Sequence, residues 1–339
     1  MTTTAEATDP RVPDSDPQPL LAVRGLVVQA ADGVRVIDGV DLTVPRGGTV
    51  GLVGESGSGK SVTSSAIIGL LPAGLTATDG SIRMNGTDLR TADERTRRAM
   101  RGKQIAMIFQ DPLAALNPRI PVGRQIAEIL RVRDGRPRAE AHSTAVELMR
   151  RVEIPDPERR AGDYPHQLSG GQRQRVMIAL ALAGEPALLL CDEPTTALDV
   201  TVQARVLELL ARLQRQDGLA MLLVSHDLRV VSHVARDLVV MYSGRVAESG
   251  PTADLLRHPR HPYTVALVRN IPSPRERTPL PEPLPGTPPD PAARPSGCAF
   301  HPRCPLARER CRVEVPQPRE SGTGRRSACH FFEELPDAS

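Results

Sequence analysis

Residues 49–68, TVGLVGESGSGKSVTSSAII, constrain this chain more than any other segment. The apolar run TVGLVG reads as a short buried strand, and the small and aliphatic residues of KSVTSSAIIGLL suit a buried helix. Between them GESGSGKS, Gly54 to Ser61, fits the pattern G-x-x-x-x-G-K-[ST] in the strand-then-helix context that the pattern requires. Its glycines let successive backbone N–H groups turn inward at a helix N-terminus and form a nest for phosphate. Lys60 then reaches the β- and γ-phosphates of a nucleotide, and the Ser61 hydroxyl ligates Mg²⁺. An ordinary Gly/Ser turn needs no lysine, and the chain has only two, Lys60 and Lys103, among 43 basic residues. A lysine kept here fits a site that wants a compact point charge rather than a forked guanidinium. The expected phosphate-binding residues are Gly54, Glu55, Ser56, Gly57, Ser58, Gly59, Lys60, Ser61 and Val62.

The other half of such a site is an apolar strand that ends in carboxylates, and LLLCDE, residues 188–193, supplies it. Asp192 at the strand end is placed to hold Mg²⁺ through its water shell. Glu193, next along, is placed to polarise a water for attack on the γ-phosphate.

Length and charge set broad bounds. At 339 residues the chain holds one large domain plus a smaller one. Its 43 basic and 40 acidic residues leave a net charge of +3, which gives no electrostatic reason to expect nucleic acid or an anionic membrane. The first 18 residues have neither a basic nor an apolar region of the secretory kind and read as a disordered polar tail, so a cytoplasmic protein is expected. The most apolar window is broken by Gly184, Glu185 and Pro186, far short of the roughly 20 residues of a membrane span. Only seven aromatic residues occur, so the core must be aliphatic.

The segments LLAVRGLVVQ and VRVIDGVDLTV read as an antiparallel β subdomain at the front of the chain. Residues of about 90–180 turn charged and helical; in AHSTAVELMRRV, Ala141, Ala145, Leu148, Met149 and Val152 share one face. Strand–helix alternation then returns. The run 187–191 reads as a buried strand, TVQARVLELLARLQRQDG as a helix with Val206, Leu209, Leu210 and Leu213 on one stripe, and AMLLVS as a strand. Such alternation implies an α/β fold with a parallel sheet. Residues 271–296 hold ten prolines, which predicts an extended connection and a boundary.

LSGGQRQR, Leu168 to Arg175, lies between the two phosphate-site motifs, and with it the chain resembles the nucleotide-binding subunits of ABC transporters over about residues 19–255. The resemblance implies a P-loop NTPase core that binds ATP and Mg²⁺, with an antiparallel β subdomain and an inserted helical subdomain. It further implies that Ser169, Gly170, Gly171 and Gln172 at a helix N-terminus contact the γ-phosphate held by a partner subunit, an anion site of the same physical kind as the glycine loop. Gln110 in IFQDPLAALNP matches a glutamine that senses Mg²⁺ and nucleotide and touches a membrane subunit. Asp199 in ALD matches a loop that crosses the dimer interface, and His226 in VSHD matches a switch histidine near the γ-phosphate. Glu193 and His226 are thus the expected catalytic pair, and Ser61, Gln110 and Asp192 the expected Mg²⁺ residues. One departure stands out: the family stacks adenine on an aromatic ring of the first hairpin, where this chain has Ala30. Weaker base contact is expected, with Arg35 or an aliphatic surface in the ring's place.

RHPYTVALV (260–268), LPGTPPD and GCAFHPRCPLARERC (297–311) resemble the C-terminal extension of the ATPases of dipeptide, oligopeptide and nickel importers, which places residues 256–339 in such an extension. Import of peptides is the favoured expectation and of nickel or another small solute the alternative; a soluble ABC protein without a membrane partner is a further one. The implied partners are a second ABC ATPase, two multispanning permease subunits and an extracytoplasmic solute-binding protein, with no nucleic acid, at the cytoplasmic face of the membrane.

Cys298, Cys304, Cys311 and Cys329 are spaced C-x5-C-x6-C-x17-C, without the C-x-x-C pair of a zinc ribbon. Clustered thiols in a reducing cytosol suit metal better than disulfides. A [4Fe–4S] cluster, which some peptide-importer relatives carry at this place, is expected, with zinc as the alternative and free thiols a third reading. The extension is expected to be braced by that metal site. Cys191 in the buried strand reads as a small apolar residue.

Overall fold

The computed structural model of the chain describes residues 18–196, 198–271 and 284–335. The polar N-terminal tail and the central part of the proline-rich connection lie outside the described residues.

Two sheets organise the fold. β1 (Leu21–Ala30) and β2 (Arg35–Val44) form an antiparallel hairpin, and β4 (Leu75–Met84) pairs with the other edge of β1, followed by the short β5 (Thr87–Asp88). The larger sheet has a parallel core built from β3 (Thr49–Val53), β6 (Ile105–Ile108), β7 (Leu188–Asp192), β8 (Ala220–Ser225) and β9 (Asp237–Tyr242). β10 (Arg245–Pro251), β12 (Arg325–Ser327) and β11 (Arg319–Gly322) extend it antiparallel, in the order β11-β12-β10-β9-β3-β8-β7-β6.

The parallel strands are unbroken apolar runs because both of their faces are covered. On β3, β7 and β8, Val50, Leu52, Leu188, Leu190, Ala220, Leu222 and Val224 face one core, shared with the antiparallel sheet and the helix Lys60–Ile68. The alternate residues Val53, Leu189, Cys191, Met221 and Leu223 face a second core, shared with the helices Val122–Asp134, Arg138–Arg151, Gly170–Leu182 and Val200–Asp217. A side-chain period of two thus divides each strand between two cores.

Helical stripes behave as their spacing predicts. Ala141, Ala145 and Met149 are buried on Arg138–Arg151, and Val206, Leu209, Leu210 and Leu213 on Val200–Asp217, which stops at Gly218 with φ 62°. β6 lies inside the stretch expected to be a helical insertion; it pairs with β7 from Ile105↔Leu188 to Ile108↔Cys191 and carries Phe109 and Gln110 to the sheet's carboxyl end.

The chain beyond the prolines is not set apart from the rest. β12 pairs with β10 through Glu248↔Ser327 and Ser249↔Arg326, so the C-terminal segment is a continuation of the main sheet.

Candidate functional site

The glycine loop folds as its composition requires. Gly54, Gly57 and Gly59 have φ of 155°, 79° and 100°, values that disfavour any side chain, and a Cβ at Gly54 would stand 2.2 Å from the Met241 carbonyl oxygen. Gly59 is the N-cap of the helix that begins at Lys60. Lys60 is buried, and its Nζ donates to the carbonyls of Gly54 (2.8 Å) and Glu55 (2.9 Å). Burial pushes its pKa down, opposed by the nearby charges of Glu193, Asp192 and Glu55. Ser58 is buried within the same loop, and Val62 packs against the core shared with the antiparallel sheet.

The loop meets the carboxylates at the end of β7. The Ser61 Oγ donates to Asp192 Oδ1 at 2.9 Å, joining two of the three expected Mg²⁺ residues directly. Burial raises the Asp192 pKa, and so does the charge of Glu193, while Ser61 and Lys60 act the other way. Both donors are hard oxygens, of the kind Mg²⁺ takes.

Glu193 follows with φ 46°, a left-handed conformation uncommon for a residue with a side chain. Its N–H donates to the Val224 carbonyl at 3.0 Å, which ties the turn to β8. Three groups converge on Glu193 Oε2: Gln110 Nε2 at 3.2 Å, Thr196 Oγ1 at 2.9 Å and His226 Nδ1 at 3.2 Å. The loops after β6, β7 and β8 therefore assemble around one carboxylate oxygen, at the carboxyl ends of parallel strands. Gln110 stands beside Glu193 here, one step from the Ser61–Asp192 pair. Thr196 was not singled out from sequence; its spacing three residues after Glu193 in an S/T-rich turn was the available signal.

The expected signature segment sits elsewhere. Ser169 is the N-cap of Gly170–Leu182: its Oγ accepts from the Gln172 N–H at 3.3 Å, and Gln172 Oε1 accepts from the Ser169 N–H at 3.0 Å. This reciprocal box starts a 13-residue helix at the expected signature segment. A Cβ on Gly171 would stand 2.6 Å from Val202 Cγ1, so glycine there lets the helix Val200–Asp217 approach. Asp199 caps that second helix, accepting from the Val202 N–H at 2.9 Å.

Ala30 closes β1, and its carbonyl accepts from Gly33 N–H in the hairpin turn. Arg35 lies on β2 with its side chain largely exposed, its Nη1 donating to Asp38 Oδ1 at 3.0 Å.

Cys298, Cys304, Cys311 and Cys329 are all free thiols and line one cavity of about 180 Å³, together with His301, His330 and Phe300. Burial raises the thiol pKa of Cys298, of Cys304 to about 11 and of Cys329 to about 12. Even so, no group of three or more His, Cys, Asp or Glu among the described residues is gathered closely enough to hold a metal ion. The metal site expected from the spacing, iron–sulfur cluster or zinc, is therefore not gathered in the geometry, and the contacts do not display a metal-braced extension. The segment is held instead by its strand on β10 and by the aromatic cluster of Tyr242, Tyr263 and Phe300, whose rings lie 4.7 to 5.5 Å apart. Cys191 is wholly buried and its thiol is pushed far up by burial, as befits an apolar filler.

Two segments match family models: residues 37–196 match "ABC transporter" and residues 247–311 "Oligopeptide/dipeptide transporter, C-terminal region". A putative peptide import ATP-binding protein of Brucella melitensis is 47% identical over 94% of this chain and 98% of its own length. The dipeptide transport ATP-binding protein DppD of Escherichia coli is 46% identical over 88% of this chain and 91% of its own length. Among solved structures, a dimeric post-hydrolysis state of the ATP-binding cassette MJ0796 bound to ADP and Pi is similar with a TM-score of 0.62 and 26% identity, covering 68% of this chain and 98% of that one. No helix among the described residues is long and apolar enough to cross a membrane. The chain therefore belongs to the ATP-binding subunits of ABC transporters, in the dipeptide/oligopeptide importer family.

Proposed function

We propose that this chain is the ATP-hydrolysing subunit that powers import of dipeptides or oligopeptides through partner membrane subunits. The observation that carries the reading is the convergence of Gln110, Thr196 and His226 on Glu193 Oε2, beside the Ser61–Asp192 pair and Lys60. Peptide as the transported class rests on the relatives' names and on the matched C-terminal region.

Ser61 and Asp192 fit Mg²⁺, which when bound offsets charge on the β- and γ-phosphates. Lys60 supplies the compact cation at the phosphates. Glu193 accepts a proton from the attacking water, and Gln110 and Thr196 fix which way its carboxylate faces. His226 holds the same oxygen from the β8 side and so links the base to the end of that strand. Ser169 and the Gly170 and Gly171 amides would complete the site of a second ATPase subunit. Two permease subunits and an extracytoplasmic solute-binding protein would complete the importer, with this chain at the cytoplasmic face and no nucleic acid involved.

Glu193→Gln is expected to lower ATP turnover at least ~100-fold with ATP binding retained, since it removes the base and keeps the shape. Phosphate release by the assembled importer, read against nucleotide binding, checks this. Turnover kept by the variant would end the assignment.

For the four cysteines we propose a [4Fe–4S] cluster; the support is that all four are free thiols and line one cavity, in a spacing wider than a zinc ribbon uses. Anaerobic purification should give about four iron and four sulfide per chain. Zinc in stoichiometric amount, or no metal, would refute it.

A further inference from the structure

The GESGSGKS loop contains one long side chain besides Lys60, that of Glu55, and it is turned away from the phosphate nest. Its carboxylate forms a two-pronged pair with Arg303, Nη1 to Oε2 at 2.7 Å and Nη2 to Oε1 at 3.1 Å. The Glu55 backbone is tied as well: its N–H donates to the Tyr263 hydroxyl at 2.7 Å. Both partners come from the C-terminal segment, more than 200 residues away in the chain.

Arg303 has no freedom to do anything else. It is 7% exposed, its Nε donates to the Pro285 carbonyl at 2.8 Å, and Nη1 also donates to the Tyr242 hydroxyl at 3.2 Å. It sits on the single turn His301–Arg303 that joins Phe300 to Cys304. Tyr263 is wholly buried and packs between Tyr242 and Phe300. A planar guanidinium with four donated bonds is a rigid fork, in contrast to the flexible ammonium of Lys60.

Lys60 itself donates to the carbonyls of Gly54 and Glu55. When that ammonium turns to the phosphates of a nucleotide, those contacts are given up. Arg303 and Tyr263 hold Glu55 through its carboxylate and its N–H, contacts that do not depend on where the Lys60 ammonium points. We infer that Arg303 is a positioning residue of the nucleotide site: through Glu55 it fixes the entry of the glycine loop, so that the C-terminal extension completes the ATP site of its own chain. The inference rests on the nucleotide reading of that loop.

The test is a cycle of Arg303→Met, Glu55→Gln and the double variant in the full-length chain, read as the dissociation constant of Mg-ATP and as the thermal midpoint of the nucleotide-free protein. Each single variant is expected to weaken ATP binding about 5- to 20-fold, and the double variant no more than either, because all three break one link. Arg303→Lys, which keeps the charge and loses the fork, should fall between wild type and Arg303→Met. A merely structural Arg303 would lower the midpoint without this pattern. Unchanged ATP affinity in Glu55→Gln, or losses that add in the double variant, would overturn the inference. Should Arg303→Met not fold, Glu55→Gln and Arg303→Lys carry the test by themselves. Failure of the wild-type chain to bind ATP, with Lys60→Ala no different, would instead overturn the nucleotide reading.

Discussion

Thr196 shows what a single hydroxyl contributes at this site. A carboxylate base works best when its lone pairs are fixed before the substrate arrives, and Thr196 Oγ1 holds Glu193 Oε2 from within the same turn, at 2.9 Å. Gln110 and His226 reach the same oxygen from the loops after other strands, so they move if those loops move. Thr196→Val keeps the shape and removes the donor. It is expected to lower ATP turnover about tenfold with little change in ATP affinity, an effect at the low end for a hydrogen bond to a charged group. Steady-state kinetics with a separate binding measurement would reveal the split, and an equal loss in both would argue that Thr196 only packs. The residues to which we assign the chemistry stood out in the sequence because chemistry restricts residue type: a phosphate loop needs glycines and a lysine, and a metal needs an acid. Thr196 and Arg303 were not, because hydroxyls and arginines occur throughout and only their neighbours in space single them out.

His261 decides the geometry of a whole element. It is the N-cap of the helix Pro262–Arg269, and its Nδ1 accepts from the Tyr263 N–H at 3.1 Å, which sets the orientation that brings the Tyr263 hydroxyl to the glycine loop. A ring nitrogen can accept only while it carries no proton. Burial lowers the His261 pKa from 6.5 to about 4, so the unfolded chain binds the proton first as the pH falls. Stability is therefore full above about pH 6.5 and is lost progressively between there and about pH 4, by up to about 3 kcal/mol from this group. His261→Asn keeps an acceptor at the cap and cannot titrate, so its unfolding free energy should vary less with pH across that window. Urea unfolding from pH 7 to pH 4.5 would measure it, and parallel curves for the two proteins would exclude the cap as the titrating element. Elements of this kind were partly readable: a proline at the first helical position predicts the helix start, while the use of its cap to aim a tyrosine at a distant loop does not follow from local spacing.

At the scale of the molecule, the C-terminal segment is fastened to the ATPase core by more than the nucleotide loop. Glu248 on β10 is fully buried, and its Oε1 faces Arg325 Nη2 on β12 at 3.4 Å, while it also accepts from the Arg260 N–H at 2.8 Å. Burial raises the Glu248 pKa, opposed by these donors. Removing one partner from such a pair strands the other charge, so Glu248→Met is expected to cost about 3–5 kcal/mol of stability. Changing Arg325 to Met as well should recover most of that loss, because the stranded charge goes with it. Denaturant titration of the three proteins tests this, and a double variant less stable than Glu248→Met would show that the Arg325 bond to the His258 carbonyl outweighs the stranded charge. By itself the sequence determined the phosphate loop, the acid-tipped strand, the alternation of strands and helices and the ordering of the motifs, since these depend on residue type over spans of a few turns. Tertiary structure alone decided that β6 joins the central sheet, that β12 and β11 extend it, and that four cysteines share a cavity with no metal-ion geometry. It alone decided, too, that Glu55 is held by a segment more than 200 residues downstream. The physical reason is that backbone pairing at a sheet edge and a paired buried charge are settled by which surfaces meet, and no local pattern of side chains encodes that meeting.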